Sequence, residues 1–305
     1  MSKLILGTHL GDFSDEVSFL YQQAVSFALQ NGINAIDGAI NYRGMRSEKD
    51  EGTAIQQLIH DGKLKREDVC VSSKAGLLFG DITEKLNPRM YLEKILKPQG
   101  ISETDFYEYD GLYQTLNPVF FEIALEKSRR NLGLDTIDIH YIHIPEITRS
   151  GIALADFYDR MEQLFRWYEG KVQEGKIRQF GIALEFMGNE PGKSRWHFEL
   201  EELMNRALKA GNGRTHFKHV IYEYNVLCPY PVTAASQTVE NRVISLTEAC
   251  RRLGLETEAS MPFAMGGALQ NHSVQELLAF AFGGADHVIA GSKNTAHIRE
   301  LLSAV

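Results

Sequence analysis

Short apolar segments alternate with longer amphipathic segments along the whole chain of 305 residues. Apolar runs rich in β-branched residues predict strands at 4–8, 33–37, 69–74, 136–144, 177–183, 219–224, 255–261 and 287–291. The amphipathic segments between them predict helices at about 16–31, 47–61, 118–132, 153–174, 197–210, 238–253, 273–283 and 295–304. Each predicted strand is therefore followed by a predicted helix.

The helical period is plainest in the segment 153–174. Its apolar residues recur three or four positions apart, at Phe157, Met161, Leu164, Tyr168 and Val172. Strands that each precede a helix favour an α/β fold, a (β/α)8 TIM barrel, and we expect one such domain over residues 1–305. A doubly wound open sheet is the alternative. That fold is expected to have a glycine-rich turn after the first strand, and GTHLGD does not match the pattern G-x-G-x-x-G.

One long segment, at about 77–116, separates the third predicted strand from its helix. It carries aromatic residues among acidic ones, at Tyr91, Phe106, Tyr107, Tyr109 and Tyr113. Loops this long inside a compact domain are usually functional or mobile, and a barrel places a loop after a strand at the C-terminal face, where active sites form. We expect this insertion loop to be a lid with aromatic walls. The alternative is an insertion with a small core of its own.

Composition narrows the classes of function. The formal net charge of −8 argues against non-specific binding of nucleic acid. Cys70, Cys228 and Cys250 are too few and too scattered for a disulfide framework or a zinc site, and they fit a reducing compartment. No run of about 20 apolar residues could span a bilayer, and MSKLILGTHLG lacks a long apolar signal core. We expect a cytoplasmic protein that binds neither nucleic acid nor membrane.

Four residues that could carry out proton transfer lie at or just after successive predicted strands. Asp37 ends the second strand, Tyr42 lies in the loop after it, Lys74 ends the third strand and His143 lies near the end of the fourth. A phenol has a reference pKa of about 10. A nearby ammonium favours the phenolate and so makes the phenol a better proton donor. A carboxylate keeps that ammonium charged, and a histidine completes a polar pocket around a reacting oxygen.

Each of these residues taken alone has a structural explanation, such as a helix cap, a packed ring or a solvated cation. Their coincidence at neighbouring strand ends favours the reduction of a carbonyl group. His140 lies three residues before His143, so strand alternation points it to the opposite face. The chain contains no H-E-x-x-H motif, and we expect no metal site.

Four segments of the chain resemble signature segments of the aldo-keto reductase family and together extend over nearly its whole length. They are IDGAINYRGMRSEKDEG, SRRNLGLDTIDIHYIHIPE, EGKIRQFGIA and VIAGSKNTAHIRELL. The second is close to the family signature S-x-x-x-L-G-L-D-x-x-D-x-x-x-x-H-x-P, and the last is similar to the family's cofactor-phosphate loop and helix. The INYR segment and the long third loop resemble a bacterial branch of this family, so the chain is identified as a divergent family member of bacterial type.

The resemblance implies a (β/α)8 barrel that binds NADPH or NADP+ at its C-terminal mouth and reduces a small-molecule aldehyde or ketone. It implies Tyr42 as the proton donor, Lys74 and Asp37 as the pair that tunes it, and His143 as the group that polarises and orients the carbonyl. The cofactor-binding residues that it implies are Thr8, Asp37, Ser260, Gly291, Ser292, Lys293 and His297.

Several positions depart from the family pattern at the expected cofactor site. They are Ala183 and Leu184 in place of Ser-Asn, Ile221 in place of Gln, Ala259 in place of a stacking Tyr, His297 in place of Arg, and Leu301 in place of Asn. Alanine and leucine side chains cannot hydrogen-bond the nicotinamide carboxamide. Two alternatives therefore stay open. One is a repurposed barrel that uses the same acid–base set for elimination or isomerisation, and the other is a non-catalytic binding subunit. The mouth should be aromatic and partly acidic, which is compatible with an apolar or cationic carbonyl compound.

Overall fold

The computed structural model describes residues 1–187 and 194–305. Within those residues the strands are β1 (Leu4–Gly7), β2 (Ala35–Asp37), β3 (Cys70–Ala75), β4 (Tyr107–Tyr109), β5 (Leu112–Gln114), β6 (Ile137–His143), β7 (Ile177–Ala183), β8 (Phe217–Glu223), β9 (Ala235–Val239), β10 (Arg242–Ser245), β11 (Glu256–Ser260) and β12 (His287–Gly291). Eight of them form a closed parallel barrel in the order β1-β12-β11-β8-β7-β6-β3-β2. The predicted (β/α)8 barrel is therefore confirmed, and the doubly wound alternative is excluded.

Helices cover the outside of the barrel. In the described part of the chain they are α1 (Asp15–Gln30), α2 (Arg46–His60), α3 (Pro88–Tyr91), α4 (Pro118–Leu132), α5 (Glu146–Gly151), α6 (Leu154–Gln173), α7 (Leu200–Ala210), α8 (Tyr230–Thr233), α9 (Leu246–Leu253), α10 (Val274–Phe282) and α11 (Thr295–Ser303). Local sequence fixes several of their starts. The side chains of Ser14, Asn117 and Ser273 each accept a hydrogen bond from a free backbone N–H of the first turn.

Alternation along the barrel strands separates two apolar layers. Ile36, Val71, Ile182 and Val288 face outward into the large core between strands and helices, whereas Ile139 belongs to a smaller cluster inside the barrel. All five are buried, as the sequence predicted. Because side chains alternate in this way, the last inward residue of each strand projects toward the C-terminal mouth.

The predicted helix at 238–253 is wrong in its first half. The chain there forms the antiparallel hairpin of β9 and β10, and helix begins only at Leu246. Glu240 and Asn241 form the turn with φ of +50° and +63°, in the left-handed region that two-residue hairpin loops require. The alternation in TVENRVIS has the period of a strand, so the hairpin overrides the helical reading. The helix predicted at 197–210 begins three residues later, at Leu200.

The insertion loop at 77–116 divides into two parts. One part joins the main core between strands and helices, where Tyr91 packs on Phe79 and Phe106 packs on Phe120 of α4. The second part is the hairpin of β4 and β5, whose residues Asp110 and Leu112 line the cavity at the barrel mouth. The first part is therefore not a separate core, and the role of the second part as a lid stays a prediction.

A buried carboxylate anchors this insertion to the barrel. Asp81 accepts Lys49 of α2 at 2.9 Å and Lys127 of α4 at 3.0 Å. Although burial acts in the opposite direction, hydrogen bonds from Thr83 and the two ammonium groups hold the pKa of Asp81 well below its usual range. The carboxylate is therefore charged and fully compensated.

Candidate active site

A cavity of about 580 Å³ opens at the C-terminal mouth of the barrel. Asp37, Tyr42, Lys74 and His143 all line it, so the structure brings the four predicted residues together. Parallel pairing is the reason, because Asp37 lies beside Ser72 of β3 while Lys74 lies beside Tyr141 of β6. The strand ends that carry these side chains are thus neighbours around one rim.

Lys74 and Asp37 form a buried ion pair. The Lys74 ammonium donates to Asp37 Oδ2 at 2.6 Å and to the Gly38 carbonyl at 2.9 Å, and Ser72 donates to Asp37 Oδ1 at 2.8 Å. Burial by itself lowers the pKa of Lys74, but the charges of Asp37 and Tyr42 outweigh burial and raise it above its ordinary value. Lys74 is therefore a fixed cation in this cavity.

Helix α2 supports this pair from behind. Ser47 donates to the Thr8 carbonyl at 2.7 Å, and Glu48 accepts Ser73 of β3 at 2.6 Å, so the start of the helix is bound to two strands. Glu51 lies one turn further on, against Gly38, where a Cβ would come within 2.5 Å of its Oε1. Only glycine allows this close approach of the strand end and the helix.

Tyr42 lies in a tight turn after β2. The turn contains left-handed residues, Arg43 at φ +48° and Met45 at φ +71°, and such strain is common at functional sites. The Lys74 Nζ lies 4.8 Å from the centre of the Tyr42 ring, and the His143 ring centre lies 5.9 Å from it. The phenol is thus surrounded by the side chains that the sequence analysis placed beside it.

The net electrostatic effect on Tyr42 differs from the sequence expectation. Burial raises the pKa of the Tyr42 phenol, while the charge of Lys74 and its hydrogen bond to the phenol lower it. Burial is the largest effect, so the pKa lies above its ordinary value. Lys74 limits this rise without reversing it.

His143 is neutral in this cavity. Burial lowers the pKa of His143 well below its ordinary value, and the nearby Lys74 and His9 act in the same direction. Its Nδ1 is buried and has no hydrogen-bond partner among the described residues. His140 faces the helices instead, where its Nδ1 lies 2.8 Å from the Tyr168 hydroxyl of α6. A neutral imidazole can donate one hydrogen bond to a carbonyl oxygen.

Sequence reasoning missed His9 at this site. The loop after β1 places its ring edge-on to Tyr42, with 4.7 Å between the ring centres. Burial lowers the pKa of His9, and the charge of Lys74 lowers it further. The sequence did contain a signal for His9. It lies just after the first barrel strand, and the other candidate residues lie at or just after strand ends in the same way.

The expected cofactor-binding residues divide into two groups. Thr8, Asp37, Ser260 and Gly291 line the cavity. The hydroxyl of Thr8, however, points behind the strand end, where it donates to Glu51 Oε1 at 2.6 Å and to the Asp37 carbonyl at 3.1 Å. Thr8 therefore presents no free hydroxyl to a ligand.

Ser292 and Lys293 lie in the loop between β12 and α11, directly after Gly291. Ser292 Oγ accepts the Asn294 N–H at 3.1 Å, and Lys293 Nζ extends toward the loop after β1, 3.5 Å from where a Cβ on Gly11 would lie. The cation thus sits at the edge of the cavity, beside a helix N-terminus. His297, on α11, is exposed.

Two of the residues that depart from the family pattern do not lie at the cofactor site where the resemblance placed them. Leu301 is buried in the main core between α11 and the strands, so it does not face a ligand. Ala259 is also in that outer core, and the cavity-facing residue of β11 is its neighbour Ser260. Strand alternation explains the second correction, because adjacent residues face opposite sides.

The remaining departures do face the cavity. Ala183, Leu184 and Ile221 line it at the ends of β7 and β8. These side chains offer no hydrogen-bonding group. This part of the wall is therefore apolar where the resemblance would place the nicotinamide.

Residues 1–187 and 194–305 lack two features that would indicate other functions. Among the helices there, none has the length and apolarity needed to cross a membrane. The same residues contain no cluster of three or more potential metal ligands.

A family model described as the Aldo/keto reductase family matches residues 3–277 of the chain. Aldose reductase B of Dictyostelium discoideum is 28% identical over 178 residues, which cover 58% of this chain and 48% of that protein. An aldo-keto reductase family 1 member C23-like protein of Equus caballus is 26% identical over 185 residues, covering 56% and 45%. The chain spans about half the length of these curated relatives.

Solved structures share the fold over almost the whole chain. An aldo-keto reductase from Bacillus halodurans, in its holo form, superposes with a TM-score of 0.64 at 18% identity and covers 99% of this chain and 86% of that one. The aldo/keto reductase from Klebsiella pneumoniae in complex with NADP and acetate gives a TM-score of 0.58 at 19% identity, covering 100% and 86%.

Proposed function

Because this chain belongs to the aldo/keto reductase family, we propose that it catalyses the NADPH-dependent reduction of an aldehyde or ketone at the mouth of its barrel. The observation that carries the proposal is the cavity in which Tyr42 lies beside both the Lys74–Asp37 ion pair and His143. The Tyr42 phenol, the Lys74 ammonium and the neutral His143 imidazole therefore surround the same part of the cavity.

In this proposal Tyr42 donates the proton to the carbonyl oxygen. The phenolate that results lies beside the Lys74 ammonium, which stabilises it. Asp37 holds Lys74 in place through the 2.6 Å contact. His143 donates a hydrogen bond to the same oxygen and orients the carbonyl, which its neutral state permits.

The cavity suits a nicotinamide dinucleotide better at one end than at the other. Gly7 and Gly291 line it without side chains, so a ligand backbone can approach closely there. Lys293 and Ser292 adjoin Gly291 at the start of α11, and a cation, a hydroxyl and a helix N-terminus suit a phosphate. The end near Ala183 and the other apolar residues offers van der Waals contact only. When bound, NADPH supplies the hydride.

A fluorescence titration with NADPH, NADP+ and NADH tests the cofactor assignment. We expect NADPH to bind more tightly than NADH, and Lys293→Ala to weaken NADPH binding by about tenfold, as expected for the loss of one charge-assisted hydrogen bond. Lys65→Ala, a change at an exposed lysine elsewhere on the surface, is the matched control. Equal affinity for NADPH and NADH, or no effect of Lys293→Ala, would overturn the assignment.

A second candidate function rests on the apolar wall formed by Ala183, Leu184 and Ile221. If that wall does not hold a nicotinamide, the same acid–base set could catalyse elimination or isomerisation. The titration separates the two candidates, because an intact cavity that binds none of the three nucleotides favours the non-redox reaction.

A further inference from the structure

Two carboxylates that the sequence analysis did not identify lie near the end of β7, one on the cavity wall and one behind it. Glu185 follows Ala183 and Leu184 and lines the cavity. Glu146 lies fully buried behind it at the start of α5. Its Oε1 accepts the backbone N–H groups of Glu185, Phe186 and Met187 at 2.9, 3.2 and 3.3 Å. The start of α5 therefore fixes the segment that carries Glu185.

The second oxygen of Glu146 is unsatisfied. Its Oε2 is buried and has no hydrogen-bond partner within residues 1–187 and 194–305. Such an oxygen is unfavourable unless something compensates it. Glu185 is close enough to Glu146 that the charge of one raises the pKa of the other. An unpartnered buried acceptor thus lies beside a carboxylate that opens into the cavity.

Within residues 1–187 and 194–305, the charges that act on Glu185 are those of Glu146 and Glu223, which have the same sign. Burial raises the pKa of Glu185 to about 7, and the neighbouring Glu146 and Glu223 add to the rise. Burial also raises the pKa of Glu146 to about 7, against the effect of its backbone hydrogen bonds. Asp81, by contrast, is buried and is neutralised by two lysines. A buried carboxylate in this protein can therefore be paired, so burial alone does not explain the environment of Glu185.

Apolar residues make up most of the lining near this segment. Leu77 and Ile144 form a cluster with Phe186, and Leu112, Leu184 and Met265 also line the cavity, together with one further carboxylate, Asp110. Phe186 is held in place by Trp196, whose ring stacks on it with 4.6 Å between centres. A ligand that fills this space therefore needs an apolar body, and one charged group where it meets Glu185.

We propose that the carbonyl substrate of this protein is an apolar compound that carries a positive charge, and that Glu185 binds that charge opposite Tyr42. The inference rests on the proposed reductase function and adds the substrate class to it. Among residues 1–187 and 194–305 only like charges act on Glu185, so an ammonium or amidinium group would supply a counterion there and would reduce its repulsion with Glu146. The affinity for such a group comes from desolvated charge pairing, which is stronger in a cavity than at a surface.

An isosteric pair of ketones tests this directly. The probes are 4-acetylphenyltrimethylammonium and 4-tert-butylacetophenone, which share shape and carbonyl and differ in one positive charge. With NADPH in excess, we expect kcat/KM for the charged ketone to exceed that for the neutral one by about tenfold or more, the size that a close charge pair gives in a partly buried site. Equal values, or a preference for the neutral ketone, would overturn the proposal.

Substitution localises the effect. In Glu185→Gln the ratio of the two kcat/KM values should fall toward one, because the amide keeps the shape and loses the charge. Glu16→Gln, at an exposed site in the first turn of α1, changes the net charge by the same amount. This site is far from the cavity, so the variant should keep the wild-type ratio. A ratio that stays high in Glu185→Gln would place the recognition elsewhere and overturn the assignment.

Binding measurements separate this inference from the proposed function. The affinity of each ketone is measured by its quenching of tyrosine and tryptophan fluorescence, without turnover. Tighter binding of the charged ketone, lost in Glu185→Gln, supports the inference even where NADPH reduces neither ketone, and only the reductase proposal then fails. Failure of the charged ketone to bind more tightly overturns the inference even where both ketones are reduced.

Discussion

On the side of the mouth built by β2, β3 and β6, the buried charges are paired, whereas on the side built by β7 and β8 they repel each other. Lys74 and Asp37 form an ion pair with 2.6 Å between Nζ and Oδ2. Burial and the neighbouring charges of Glu146 and Glu223 raise the pKa of Glu185 to about 7. The two sides face each other across one cavity.

This difference separates two tasks. A compensated ion pair keeps its geometry and charge over a wide range of pH, which suits a group that must always stabilise a phenolate. An uncompensated carboxylate near its pKa can change its charge when a ligand arrives, which suits recognition. We expect substitutions on the first side to change the rate for every substrate, and those on the second side to change which substrate is preferred.

Lys74→Met should have the largest effect. It leaves Asp37 charged and buried without a partner, which costs about 3–5 kcal/mol of the free energy of unfolding, and it removes the cation beside Tyr42. We expect kcat/KM to fall by at least about 10³ and the melting temperature to fall as well. Lys49→Met is the matched control, because it removes a cation from the buried Asp81 outside the cavity. It should lower stability and leave kcat/KM nearly unchanged.

Tyr42→Phe should follow, with a loss of about 10²–10⁴ in kcat, because the positioned proton donor is gone while the ring remains. The affinity for NADPH should change little, since the phenol acts on the substrate. Tyr113→Phe, on exposed strand β5, is the control. Steady-state kinetics and the nucleotide titration measure both quantities. Full turnover in Tyr42→Phe would show that the chemistry lies outside this set of residues.

The pH dependence of cation binding should give an effect of about tenfold. Below about pH 7 the Glu185 carboxyl is protonated in the free protein, and a bound cation lowers its pKa, so binding releases a proton. Affinity for the charged ketone should therefore rise from pH 6 to pH 8 and then level off. Glu146, Glu223, Tyr42 and Cys228 also face Glu185. A profile that stays equally steep in Glu185→Gln would assign the titration to one of these neighbours.

Glu51→Gln should stabilise the protein at alkaline pH by a few degrees. Burial raises the pKa of Glu51 well above the value of 4.5 that applies in the unfolded chain. The folded state therefore holds a proton that the unfolded state releases, and stability falls as pH rises through that window. The melting temperature of Glu51→Gln should exceed that of the wild type by about 2–4 °C at pH 8 and by less at pH 5. An equal difference at both values would rule out proton linkage.

Ala183→Ser should give the smallest change. It adds one hydroxyl to the apolar wall at the end of β7, where a single neutral hydrogen bond is worth about 1 kcal/mol. We expect NADPH to bind up to about fivefold more tightly, by the same fluorescence titration. Ala235→Ser, on the exposed start of strand β9, should leave the affinity unchanged. An unchanged affinity in Ala183→Ser, as in the control, would mean that no nicotinamide lies at this wall.

The barrel and one side of the mouth could be predicted because local sequence specifies them. Strand period and strand ends alone placed Asp37, Lys74 and His143 on one rim. The hairpin of β9 and β10 was mistaken for helix, because its turn at Glu240 and Asn241 needs left-handed residues that sequence only weakly signals. The hydrophobic period therefore predicts the strands and helices that support the site more reliably than the segments that connect them.

The other side of the mouth could not be predicted, because it depends on contacts between distant segments. Glu146 holds the backbone of Glu185, 39 residues away along the chain. Nothing local distinguishes either glutamate from a solvated one. In the same way, only the observed structure showed that Ala259 faces the outer core, whereas its neighbour Ser260, which the resemblance placed at the cofactor site, does line the cavity.

The pairing of β1 with β12 also governs when this site comes into existence. Leu4 lies beside Val288, and the His287 ring contacts the Ser2 carbonyl at 2.9 Å, so the seam joins segments that are far apart in the sequence. On a ribosome the Lys74–Asp37 pair is synthesised well before β12 and the loop that carries Lys293. Such long-range closure is slow. We therefore expect the mouth of the barrel to be completed late in folding, after the ion pair has formed.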